Sequence, residues 1–133
     1  MPVNIIVGLI ALIVAMTLYS IGTWSAFRAK GFSSRPLALL WVGVVFDVLA
    51  TAMMGMQIGG LDLRPGAPLL HTVLALLAMA GMVAGATVAT WAVSAGRSSV
   101  ATTVSRVLVA PWALWVGVFV WGMVTRGAAR MGG

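Results

Sequence analysis

The sequence predicts an all-α membrane protein: a bundle of four transmembrane helices with both termini on the extracytoplasmic side. Three observations carry this expectation. Of 133 residues, 62% are hydrophobic and only 8% charged, whereas a soluble domain needs about a quarter charged to solvate its surface. Four separate stretches reach the roughly 20 apolar residues that cross a bilayer as a helix. The cations fall between those stretches with a bias towards one side. The chain reads as one domain over residues 1–133, with little of it outside the lipid.

The first span runs from about Asn4 to Phe27 and the second from about Pro36 to Gln57. The third runs from about Leu69 to Val93 and the fourth from about Val107 to Thr125. Each break carries turn chemistry. Gly31 to Pro36 holds Gly, Ser, Ser and Pro, Gly59 to Pro68 holds Gly, Asp62, Arg64 and Pro, and Ser94 to Arg106 is rich in Ser and Thr. Lipid offers the backbone no partners, so each span must satisfy its own amides as a helix. The apolar N-terminal run lacks a preceding basic segment and exceeds a signal-peptide core, so it reads as a retained first span.

Orientation follows from the cations. Arg28, Lys30, Arg35, Arg97 and Arg106 belong to the loops after spans one and three, against Arg64, Arg126 and Arg130 on the other side. The positive-inside bias therefore places the two basic loops in the cytoplasm. Trp24, Trp41 and Trp91 near those loops, and Trp121 near the opposite end, suit interfacial anchors. The net charge of +6 and pI near 11.9 do not indicate nucleic acid, because the cations are scattered rather than gathered in a patch. They suit topology signals and anionic headgroups instead. Absence of cysteine excludes disulfides, thiolate metal sites and cysteine catalysis.

Asp47 is the residue that most demands a reason. It lies mid-span in the second helix, where an aspartate costs roughly 2.5–3.5 kcal/mol to insert. It is expected to face the bundle interior, with Tyr19, Ser20 or Thr23 of the first span as hydrogen-bond partners. A polar clamp between spans, a proton relay, a cation site and a partner to a bound cofactor all remain open for it.

His71, the one histidine, sits about a turn inside the outer end of the third span. Met53, Met54 and Met56 of the second span should reach a similar depth, forming a layer of imidazole and thioether that suits haem iron or copper. Core filling by methionine explains the same layer. His71, Ala75, Ala78, Met79, Met82 and Ala86 share one small-volume face of the third helix, fit for a flat cofactor or another helix. Gly81 to Gly85 and Gly55 to Gly59 form GxxxG spacings, for which packing within the bundle or in a homo-oligomer each accounts. Arg106 is expected to open the fourth span and snorkel to headgroups, or to pair with an acidic cofactor group. Pro111 should kink the helix it enters. A second membrane acid, a metal-binding histidine pair, a nucleophile motif and a phosphate loop are all missing from the sequence.

The stretch Leu18-Tyr19-Ser20-Ile21-Gly22-Thr23-Trp24 resembles a YTIGVW pattern, and Leu40 to Thr51, with Trp41, Phe46 and Asp47, resembles WLGLxFDxxGT. Both patterns belong to the HsmA-like family of small four-span bacterial membrane proteins, described as haem-sensing or haem-sequestering. His71 and the Trp112 to Trp115 run also fit it. The resemblance implies a four-span bundle in the bacterial inner membrane that binds haem or another porphyrin-type pigment and is not an enzyme. It implies His71 as the metal ligand, with Met54, Arg106, Asp47 and Tyr19 around the cofactor. Members carry further histidines at positions approximating Val88 and Ser105 here, so this chain departs from paired-histidine ligation. Two other expectations stand beside it: an accessory transmembrane subunit of a larger redox or photosynthetic complex, and a small proton-coupled transporter using Asp47.

Overall fold

The computed structural model describes residues 3–56 and 60–132, with side chains described as far as Thr125. It is all helical among the described residues: α1 (Val3–Ala29), α2 (Ser34–Gly55), α3 (Ala67–Ser94), α4 (Ser98–Val107) and α5 (Val109–Gly132). Four segments are long and apolar enough to cross a membrane, α1, α2, α3 and the α4–α5 run Ser98–Thr125. The 22 residues of α2 rise about 33 Å, enough for a hydrocarbon core of about 30 Å. The Gln57 end expected for the second span and the Gly59 of its GxxxG spacing lie outside the described residues, as do the side chains of Arg126 and Arg130.

The chain runs up, down, up and down. α1 packs along α2, α2 against α3, α3 against α4 and α5, and α5 returns to α1, leaving α2 and α5 on one diagonal. Two helix ends on the basic side are built alike. Gly31 and Lys30 amides return to the carbonyls of Ala26 and Phe27, and Arg97 and Gly96 amides to those of Ala92 and Val93. This pairing closes a helix with a left-handed residue. Gly96 takes that conformation at φ 68°, but Lys30 takes it at φ 56° with a side chain, where an L-residue is disfavoured.

The fourth span begins earlier than its hydropathy suggests. The Ser/Thr-rich stretch expected as a loop is helical from Ser98, so the break between spans shrinks to residues 95–97. Its hydroxyls explain why: Thr102 and Thr103 donate to the carbonyls of Ser98 and Ser99, and Ser105 to that of Thr102. Polar side chains satisfied on their own helix need no water. Thr102 also donates to the Lys30 carbonyl at 2.7 Å, fastening α4 to the first hairpin's turn. Arg106 consequently closes α4 rather than opening the span. The regular helix is interrupted at Leu108. The expected proline accounts for it, since Pro111 has no amide to offer the carbonyl four residues back.

The tight half of the bundle lies towards the basic loops. Ala15, Tyr19, Leu40, Ala78, Met82, Ala86, Leu108 and Trp115 form its buried cluster. Backbones approach closely there because small residues allow it. A Cβ on Gly81 would lie 2.6 Å from Pro111, and one on Gly85 would overlap Leu108. The Gly81 to Gly85 spacing is thus occupied within the chain, seating α3 on the junction between α4 and α5 at Leu108 and Pro111.

Candidate functional site

Above that core the four helices part around a cavity of about 710 Å³. Each helix contributes one face at helical spacing. α1 presents Ile5, Leu9 and Leu12, and α2 presents Asp47, Ala50, Thr51 and Met54. α3 presents His71, Thr72, Ala75, Leu76 and Met79, while α5 presents Trp115, Val118, Phe119 and Gly122. The volume falls within the roughly 300–1,000 Å³ of sites that hold drug-sized ligands. Asp47 stands at its inner end, and the α2–α3 connection, with Leu61, Asp62 and Arg64, lies at its outer end.

Asp47 is 4% exposed and accepts two bonds on the same oxygen. Tyr19 Oη on α1 donates to Oδ2 at 3.0 Å, and Trp115 Nε1 on α5 donates to it at 3.1 Å. The second bond crosses the diagonal of the bundle, so one carboxylate oxygen joins three helices. The two donors also meet each other edge to face, with ring centroids 5.4 Å apart. Tyr19 reaches this position because α2 carries no side chain at Gly43, where a Cβ would stand 2.7 Å from the tyrosine ring. Of the first-span residues expected near Asp47, only Tyr19 bonds it. Ser20 accepts from Trp112 Nε1 at 3.0 Å, and the buried Thr23 hydroxyl has no partner among the described residues.

The imidazole of His71 lies higher in the cavity, edge to face with Trp121 at 5.4 Å. Its Nε2 rests against α5 at Gly122, where a Cβ would come within 2.9 Å of it. Met54 shares the cavity lining with His71 and Asp47. Met56 is 67% exposed, so the expected methionine layer is carried by Met54 rather than Met56. The α3 face divides by depth: His71, Ala75 and Met79 line the cavity, while Ala78, Met82 and Ala86 are packed beneath it.

Arg106 is not brought to this site. It is exposed in the last turn of α4, whereas the cavity opens at the other end of the bundle. Among the described side chains, the cation at the cavity is Arg64, which grips Asp62 through Nε–Oδ1 at 2.8 Å and Nη2–Oδ2 at 2.6 Å. Asp62 holds the Arg64 guanidinium above its ordinary pKa through these bonds and its charge. The Thr72 hydroxyl donates to the Asp62 carbonyl at 2.7 Å and ties that connection to α3. Sequence reasoning places Asp62 and Arg64 in a connecting segment and gives no sign that they meet the cavity. It likewise names Trp115 without its role, since nothing in the spacing pairs residues 68 apart.

No group of three or more His, Cys, Asp or Glu side chains that could hold a bare metal ion occurs among the described residues. No family model, no curated protein and no solved structure matches the chain.

Proposed function

We propose that this protein is a non-enzymatic binding protein of the bacterial inner membrane that holds haem, or a similar flat porphyrin-type pigment, in the cavity between its four helices. One observation supports this reading most: His71 lines the same cavity as Met54 and Asp47, so all three face one shared space. An imidazole and a thioether are common axial partners of haem iron. The aromatic faces of Trp115, Phe119 and Trp121 and the aliphatic walls suit a large apolar ring. Among the described side chains, Arg64, held by Asp62, is the cation that lines the outer end, and Arg106 is not.

The residues fit haem with one condition. His71 Nε2 rests against Gly122, so ligation through that nitrogen requires the ring to turn away from α5. His71 would hold the iron, which would supply the ligand-binding chemistry, and the cavity walls would bury and orient the ring. The resemblance to the HsmA-like family is a second support, resting on the Tyr19 to Trp24 and Trp41 to Asp47 segments. The test is the absorption spectrum of protein purified from cells supplied with haem. A Soret band is expected, and His71→Ala should abolish or shift it. A colourless protein that takes up no haem on titration rejects the proposal.

A further inference from the structure

Asp47 supports a second kind of ligand, independent of iron. Its carboxylate is buried inside the bundle, yet no lysine, arginine or histidine forms an ion pair with it among the described residues, where Arg64 to Asp62 is the ion pair. Both of its protein donors, Tyr19 and Trp115, are neutral and occupy Oδ2. The residue nonetheless lines the cavity. A buried carboxyl without a cation is costly in its charged form, so it either holds a proton or takes a positive charge from elsewhere, and a bound cation would replace that proton. Around it the cavity presents the rings of Trp115 and Phe119, stacked at 5.8 Å, with Leu12, Leu76 and Val118.

We propose that the inner end of the cavity binds a lipophilic organic monocation, an amine or ammonium compound, with Asp47 as its counter-ion and the aromatic rings against its charge. Cations favour the faces of tryptophan and phenylalanine, most strongly where water is excluded. A hard metal ion does not suit the site, because such ions take six or more oxygen ligands and Asp47 is the one carboxylate at this depth. The bonds from Tyr19 and Trp115 keep the carboxylate fixed, so little side-chain freedom is lost on binding.

The test is titration of the purified full-length protein with tetraphenylphosphonium, a lipophilic cation whose charge is fixed, beside neutral triphenylphosphine oxide. Calorimetry should show saturable binding of the cation, weakened at least about tenfold by Asp47→Asn and retained by Asp47→Glu. The neutral compound should bind equally to wild type and Asp47→Asn. Gly117→Ala, outside the cavity lining and with nothing within 4 Å, should leave cation binding within about twofold. Equal cation affinity in wild type and Asp47→Asn overturns the proposal, as does a neutral compound that binds wild type as tightly as the cation. Should Asp47→Asn fail to fold, wild type alone decides. Labelling of Asp47 by a lipophilic carbodiimide, mapped by mass spectrometry, should slow at least about tenfold with tetraphenylphosphonium and not with the neutral compound. Labelling unchanged by the cation overturns the proposal.

Discussion

Replacing Tyr19 by Phe isolates one bond of the three-helix junction. The ring remains, so its seat over Gly43 and its edge contact with Trp115 are kept. What disappears is the Tyr19 Oη to Asp47 Oδ2 bond of 3.0 Å. Side-chain bonds between membrane helices average about 0.6 kcal/mol and reach about 1.7, because the unfolded chain in lipid also finds partners. This bond has a carboxylate acceptor and lies wholly inside the bundle, which places it towards the upper part of that range. A loss of about 1–1.5 kcal/mol is therefore expected for Tyr19→Phe. Trp115 still supplies Oδ2 with a donor, so Asp47 is not orphaned. Asp47→Leu reverses the situation by leaving both Tyr19 Oη and Trp115 Nε1 without an acceptor. Each buried donor so stranded costs about 1–3 kcal/mol, and the pair should cost about 2–6 kcal/mol together. The assay is reversible unfolding in mixed micelles, followed by far-ultraviolet circular dichroism and tryptophan fluorescence. A Tyr19→Phe protein within about 0.3 kcal/mol of wild type would refute the claim that this bond holds the helices together. So would an Asp47→Leu protein more stable than Tyr19→Phe, since the junction would then be a polar burden rather than a clamp.

Further outcomes follow from the close approaches. Gly81→Val should destabilise by about 1–3 kcal/mol, because its side chain meets Pro111 on a neighbouring backbone that has little room to yield; the same unfolding assay measures it. Lys30→Gly should stabilise the protein by up to about 1 kcal/mol, since the residue already sits at φ 56° and Gly96 shows the unstrained version of the same helix end. A lower unfolding midpoint for Lys30→Gly would contradict that reading. Gly122→Ala should push His71 Nε2 off α5 and change haem uptake and the Trp121 emission, whereas Gly117→Ala, with nothing within 4 Å, should change neither. Equal behaviour of the two alanine variants would remove Gly122 as the residue that seats His71.

The amino-acid sequence by itself determines the spans, their up-and-down course and the helix faces. Lipid forces this: a run of apolar residues in a bilayer has no backbone solution but a helix, and a period of 3.6 then assigns each side chain a direction. It also marks Asp47 as interior and offers Tyr19, Ser20 or Thr23 across the first hairpin as its partner, because consecutive antiparallel helices pack together and residues at matching depth meet; the packed bundle selects Tyr19. The interruption ahead of Pro111 is equally local, arising from one missing amide. Tertiary structure decides the rest. Periodicity does not say which helices stand on a diagonal, so the bond from Trp115 to Asp47 is invisible until the bundle closes. Hydropathy places the start of the fourth span too late, because it scores serine and threonine as polar although α4 satisfies their hydroxyls on its own carbonyls. That shift moves Arg106 onto α4, and among the described side chains Arg64 is the cation at the cavity. The cavity itself depends on how far the helices part above the Tyr19 and Trp115 layer, which is a matter of packing volume between helices and not of any one span.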